Sequence, residues 1–128
     1  MTALELWNFV HFVGLAFGLG GATIATIISS KAAKDKSIAK VQDKLMPPII
    51  KLIWFGLVLL IISGAILPFY ITWPLNKTML IIKHIFVVWI VIFGVILGIG
   101  AKKRINLAWL GKINLFLWYL VTLISAFV

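Results

Sequence analysis

The sequence contains no cysteine and very little acidic charge. Without a thiol there is no disulfide, no thiolate metal site and no cysteine nucleophile. The only acidic side chains are Glu5, Asp35 and Asp43, and none lies inside a long apolar run, so a mid-membrane carboxylate for proton-coupled transport is missing. Charged residues make up 12% of the chain, hydrophobic residues make up 63%, and the mean hydropathy is +1.18. This composition excludes a water-soluble globule.

Long apolar runs occupy most of the chain. A bilayer core of about 30 Å requires roughly 20 apolar residues per helix, so a chain of 128 residues holds at most four spans with short connectors. The sequence therefore predicts an all-α integral membrane protein, a four-helix up-down bundle that forms a single transmembrane domain over residues 1–128. We expect the spans at about residues 3–30, 48–70, 77–100 and 105–128.

The largest polar segment is the basic connector 31–46. Its spacing predicts either a short helix on the membrane surface or a solvated basic loop. The apolar residues that recur there at helical spacing among the lysines are Ile38, Val41 and Leu45. Pro47 and Pro48 fit the first turn of a helix, where a missing amide proton is harmless, so the second span is expected to begin there.

The net charge of +9 comes from Lys and Arg residues that cluster between the apolar runs. Such clusters are typical of cytoplasmic connectors, so we expect contact with the lipid bilayer and its anionic head groups and no nucleic-acid partner. The connector 31–46 has five lysines and residues 102–104 are all basic, whereas the N-terminus has no lysine or arginine. The pattern predicts a multi-pass cell-membrane protein with both termini on the outer side.

Three ionisable residues lie well inside the predicted spans: His11, Lys83 and His84. Such residues are costly in a membrane and are candidates for function. His11 lies in the first span and His84 in the third, each roughly 10 to 12 Å from the outer end at 1.5 Å per residue. Because these spans run in the same direction, we expect the two imidazoles at matching depth in the outer half of the bilayer. Two neutral imidazoles can supply both axial ligands of one haem b.

Several neighbours complete the predicted haem site. Small residues on the histidine-bearing faces leave room for a flat ring or for a neighbouring helix. Lys83 could pair with haem propionates, and Asn8 could hydrogen-bond the imidazole of His11. The predicted cofactor contacts besides the histidines and Lys83 are Gly14, Gly18, Gly64 and Tyr119.

Each feature also has a purely structural interpretation. A membrane histidine is often satisfied by a carbonyl or a hydroxyl group. Glycine stripes often pack helices, and a lysine near a span end often extends to lipid phosphate.

The segment Phe9-Val-His-Phe-Val-Gly-Leu-Ala-Phe-Gly-Leu-Gly-Gly, together with Lys83-His84, resembles the small four-helix membrane proteins grouped with copper-resistance protein D and the HemJ-type protoporphyrinogen oxidases. The resemblance covers the whole layout. In the HemJ-type family a first-helix histidine and a third-helix lysine are associated with haem binding and protoporphyrinogen oxidation. The resemblance implies these roles for His11 and Lys83.

Three functions from different classes remain open. The first is a b-type haem protein for electron transfer or for sensing a redox or gaseous ligand, completed by a quinone or a redox partner protein. The second is a haem-dependent oxidoreductase acting on a porphyrinogen. The third is a cofactor-free structural or transport subunit, whose glycine faces would bind a second copy or the helices of a larger complex.

Overall fold

The structure, a computed structural model, describes residues 1–71, 74–103 and 108–127. Four α-helices fill this part of the chain: α1 (Ala3–Ala32), α2 (Lys36–Ile66), α3 (Lys77–Lys102) and α4 (Ala108–Ser125). A short 3-10 turn, Leu67–Phe69, extends α2. All four helices are long and apolar enough to cross a membrane, which confirms the all-helical prediction with four helices and suggests a multi-pass membrane protein. Residues 105–107 and 128 of the predicted fourth span lie outside the described part.

The start of α1 is fixed by a reciprocal pair of hydrogen bonds. The backbone N–H of Glu5 donates to the Thr2 hydroxyl over 3.2 Å, and the backbone N–H of Thr2 donates to the Glu5 carboxylate over 2.8 Å. This capping box satisfies two amide groups that the first helical turn leaves open, and such caps contribute about 1 kcal/mol. Glu5 therefore has a structural role at the end of its helix.

The second helix begins earlier than the sequence predicts. Asp35 caps α2 by accepting a hydrogen bond from the Ser37 amide, and the helix continues through Pro47 and Pro48, which lie in its interior. Both the loop interpretation of the connector and the predicted helix start at the prolines are wrong. The two prolines cannot donate to the carbonyls four residues earlier, those of Asp43 and Lys44. Because both of these residues are exposed, water can hydrate the carbonyls, and the helix continues.

The described chain forms two compact units, Met1–Pro74 and Leu75–Val128. In the first unit α1 and α2 cross at glycines. A Cβ atom placed on Gly56 would lie 2.5 Å from the backbone nitrogen of Gly18 and 2.6 Å from the carbonyl oxygen of Gly14. Contacts this short leave no room for any side chain, so the two backbones touch directly, as at membrane helix crossings with small residues.

In the second unit α3 packs against α4. Trp118 and Leu110 of α4 are buried, as is Ile90 of α3. Much of the remaining surface of α3 is exposed and apolar, as expected for a helix that faces lipid acyl chains. The order of the four helices within a bundle remains a prediction.

Candidate functional site

His11 is half-buried on α1 and forms a hydrogen bond with Ser63 of α2, which is fully buried. The His11 Nδ1 atom lies 2.7 Å from the Ser63 Oγ, which in turn lies 2.7 Å from the Leu59 carbonyl oxygen. A carbonyl only accepts, so the serine proton points to Leu59, and His11 must donate from Nδ1 to the serine oxygen. This arrangement selects the tautomer whose lone pair is on Nε2.

Gly64 also lies beside His11. A Cβ atom on this glycine would be 3.9 Å from the His11 Cε1 atom, an ordinary van der Waals distance. Counting depth along the antiparallel helices places Ser63 and Gly64 at the level of His11, and the structure brings these residues together. Ser63, not the expected Asn8, bonds the Nδ1 atom.

The other two glycines of the predicted site have a different neighbour. A Cβ atom on Gly14 would lie 2.8 Å from the Gly56 carbonyl oxygen, and Gly18 is buried against the same residue. The face of α1 that carries both glycines is therefore covered by α2. Of the two uses that the sequence leaves open for these small residues, the structure shows close helix packing.

His84 lies on an exposed face of α3. Its Nδ1 atom is 2.7 Å from the Leu80 carbonyl oxygen, one turn earlier in the same helix. Because a carbonyl cannot donate, Nδ1 carries the proton and the lone pair is again on Nε2. The imidazole lies in a shallow depression lined otherwise by aliphatic side chains, those of Leu80, Ile81, Ile85 and Val88. His84 is thus a single polar group in an apolar surface.

Lys83 precedes His84 on α3 and is half-buried, and Tyr119 lies on α4 with about half of its surface exposed. Both belong to the second unit, as does His84, whereas His11 belongs to the first. The structure describes each histidine within its own unit, so the haem that they are predicted to share remains a prediction.

The described part of the chain contains no group of three or more His, Cys, Asp or Glu side chains that could hold a metal ion. A metal site built from side chains alone therefore has no candidate within residues 1–71, 74–103 and 108–127. A haem requires only axial ligands from the protein, because its porphyrin supplies the other four nitrogen atoms.

One polar pair in α4 escapes a search for ionisable residues. Asn114 and Trp118 are both buried, one turn apart, and Asn114 Oδ1 and Trp118 Nε1 have no hydrogen-bond partner among the described residues. The signal in the sequence is an amide side chain about two turns into the last helix. In lipid such a group is as exceptional as a histidine, although it carries no charge.

Comparison of the chain with protein families, with curated proteins and with solved structures finds no match. Within the described residues, four helices of sufficient length and apolarity suggest a multi-pass membrane protein.

Proposed function

We propose that the protein is a membrane-embedded b-type haem protein in which His11 and His84 are the two axial ligands of one haem. The observation that carries this proposal is that both histidines use Nδ1 as a hydrogen-bond donor, to Ser63 and to the Leu80 carbonyl. Each therefore has its lone pair on Nε2. A neutral imidazole whose other nitrogen donates a hydrogen bond is the form in which histidine binds metals.

The surroundings of the two histidines support the same role. Ser63 is fully buried and fixes the ring of His11, and the aliphatic residues around His84 offer apolar contacts to a flat ring. When bound, haem supplies one-electron redox chemistry. The protein residues Ser63 and Leu80 hold the two imidazoles in one tautomer. Gly14 and Gly18 have no part in the proposal, because α2 covers their face.

We further propose that both termini face outward and that the haem lies in the outer half of the membrane, where it exchanges electrons with a quinone or a partner protein or senses a redox or gaseous ligand. The basis is the cluster of lysines between α1 and α2, which the positive-inside rule assigns to the cytoplasm. A cysteine introduced near the C-terminus tests the orientation. Labelling from outside intact cells is expected, and protection of this cysteine from the reagent would invert the orientation.

The haem is tested by absorption spectra of the oxidised and reduced protein, purified after expression with ample haem supply. Wild type is expected to show a six-coordinate, low-spin haem. His11→Ala and His84→Ala should each lose the haem or convert it to a five-coordinate form, whereas Asn8→Ala, one turn from His11, serves as a matched control with unchanged spectra. A colourless wild-type preparation contradicts the proposal and leaves a cofactor-free subunit as the function.

The second candidate is porphyrinogen oxidation, favoured by a half-buried Lys83 directly beside His84. A cationic side chain at this place could bind the carboxylates of a porphyrin. The discriminating measurement is porphyrinogen oxidation by the purified protein. Loss of this activity in Lys83→Ala, with the haem spectrum retained and with Lys77→Ala unaffected, would establish the enzyme. Absence of activity in wild type rejects it.

A further inference from the structure

The helical segment that contains α2 is much longer than a membrane requires. From Lys36 to Phe69 the helical segment has 34 residues. At 1.5 Å per residue this is about 51 Å, roughly 20 Å more than the hydrocarbon core. Residues 52–69 alone cover about 27 Å and contain no charge, so we place the membrane boundary near Lys51. The turns before Lys51 then pass through the head-group layer into water.

This projecting part of α2 is held against α1. The Gln42 side chain donates a hydrogen bond to the Ser29 hydroxyl over 3.5 Å, and Ile38 and Met46, one turn to either side of Gln42, are half-buried. Since a helix turns by about 100° per residue, these residues mark the side of α2 that faces α1. The opposite side of α2 faces away from α1.

Three lysines occupy that opposite side. At about 100° per residue, Lys40, Lys44 and Lys51 fall within roughly 40° of one another and about 180° from Gln42. All three are exposed, and none is paired with Asp35 or Asp43 in the part of the chain that the structure describes. We call Lys40, Lys44 and Lys51 the lysine stripe.

An apolar stripe lies directly beside the lysine stripe. Its members fall within about 60° of one another on the helix. Val41 and Leu45 are each 45% exposed and Leu52 is 40% exposed, and Pro48 lies between them on the same side. Cations therefore lie beside exposed aliphatic side chains at the level where acyl chains meet head groups. This arrangement matches the two ends of one amphiphile, a charged head and an apolar tail.

We propose that the lysine stripe and its apolar neighbours bind anionic phospholipid, with the lipid phosphate against Lys44 and Lys51 and an acyl chain against Leu52. The charge and the depth both favour a lipid of this kind over a zwitterionic one. The proposal requires that α2 spans the membrane, and it is independent of haem binding.

The test is native mass spectrometry of the full-length protein, released from micelles that contain phosphatidylglycerol and phosphatidylcholine in equal amounts. Wild type is expected to retain phosphatidylglycerol preferentially. Lys40→Gln, Lys44→Gln and Lys51→Gln, made singly and together, should lower the apparent affinity about fivefold per lysine, since each lysine near a membrane contributes about 1 kcal/mol.

The matched control is the triple variant Lys31→Gln, Lys34→Gln, Lys77→Gln, which makes the same change in net charge at exposed positions outside α2. It should retain phosphatidylglycerol almost as wild type does. Equal losses in both triple variants would assign the effect to net charge alone, and full retention by the stripe variant would leave its lysines to an aqueous partner. Either result overturns the proposal. Circular dichroism and gel filtration check that the variants are folded.

Discussion

The Nδ1 atom of His11 lies 2.7 Å from the Oγ atom of Ser63, and this hydrogen bond joins the apolar helices α1 and α2. The serine is fully buried and its own proton is directed to the Leu59 carbonyl. The bond therefore has one direction, from imidazole to hydroxyl, and it holds the histidine in a single tautomer. The same bond stabilises the α1–α2 pair and leaves the lone pair of the His11 imidazole on Nε2.

Ser63→Ala is expected to weaken the proposed haem binding by about 10- to 100-fold, since this is the usual effect of removing a hydrogen-bond partner from a histidine that binds a metal. It should also lower the free energy of unfolding by about 1 kcal/mol, because a half-buried N–H group loses its acceptor. Haem titration and thermal unfolding in detergent measure the two effects.

The matched control for this serine is Ser125→Ala in α4. Among the described residues the Ser125 hydroxyl donates only to the Val121 carbonyl, over 2.8 Å, so its removal leaves no donor there unsatisfied. Equal effects of the two variants on haem affinity would contradict a specific role for Ser63.

Gly56→Ala is expected to destabilise the α1–α2 pair by at least about 1 to 3 kcal/mol, the usual cost of forcing an extra carbon into a close-packed interior. Its Cβ atom would lie 2.5 Å from a backbone nitrogen, which cannot move aside as a flexible side chain can. Gly20→Ala is the matched control, since nothing lies within 4 Å of its added Cβ. It should be neutral or stabilising by up to about 1 kcal/mol. Equal unfolding free energies for the two variants would show that the helices do not cross at Gly56.

The sequence predicts the number and approximate place of the helices because each apolar run is long enough to span a bilayer. It identifies Gly14 and Gly18 as a small-residue face, but what covers that face depends on Gly56, a residue of the other helix. Counting depth finds Ser63 near His11, yet the direction of their hydrogen bond follows only from the position of the Leu59 carbonyl. Local rules thus locate the groups, whereas the partners depend on how the helices pack.

Replacing both Pro47 and Pro48 by Ala should stabilise the N-terminal part of α2. The alanines restore amide donors for the carbonyls of Asp43 and Lys44, and each proline in a helix interior costs about 3 kcal/mol relative to alanine. Hydrogen exchange of the amides around residues 43–50 is expected to slow. Unchanged or faster exchange would indicate that α2 is interrupted at the prolines after all.

Asn114→Leu is expected to raise the free energy of unfolding by about 1 kcal/mol, because it replaces a buried oxygen that lacks a partner among the described residues with an apolar group of similar size. Trp109→Phe, at a position that is 60% exposed on the same helix, should have almost no effect and serves as control. Thermal unfolding in detergent measures both variants. A clear loss of stability in Asn114→Leu would mean that the amide has a partner in the native protein.

The start of α2 should depend on pH through Asp35. Hydrogen bonds from the Ser37 hydroxyl and amide, over 2.6 and 2.9 Å, lower the pKa of this carboxyl below its ordinary value. As the pH falls, the carboxyl of the unfolded chain therefore binds its proton at a higher pH than the carboxyl of the folded chain. The stabilisation is complete above the unfolded pKa of about 4 and is lost as the pH falls through the lower folded pKa. Hydrogen exchange of the first amides of α2 should therefore show weaker protection in acid, after correction for the intrinsic rate. Asp35→Asn keeps a capping side chain without a titrating group, so its protection should not change over the same range. Equal pH dependence in both proteins would assign the effect to another carboxylate.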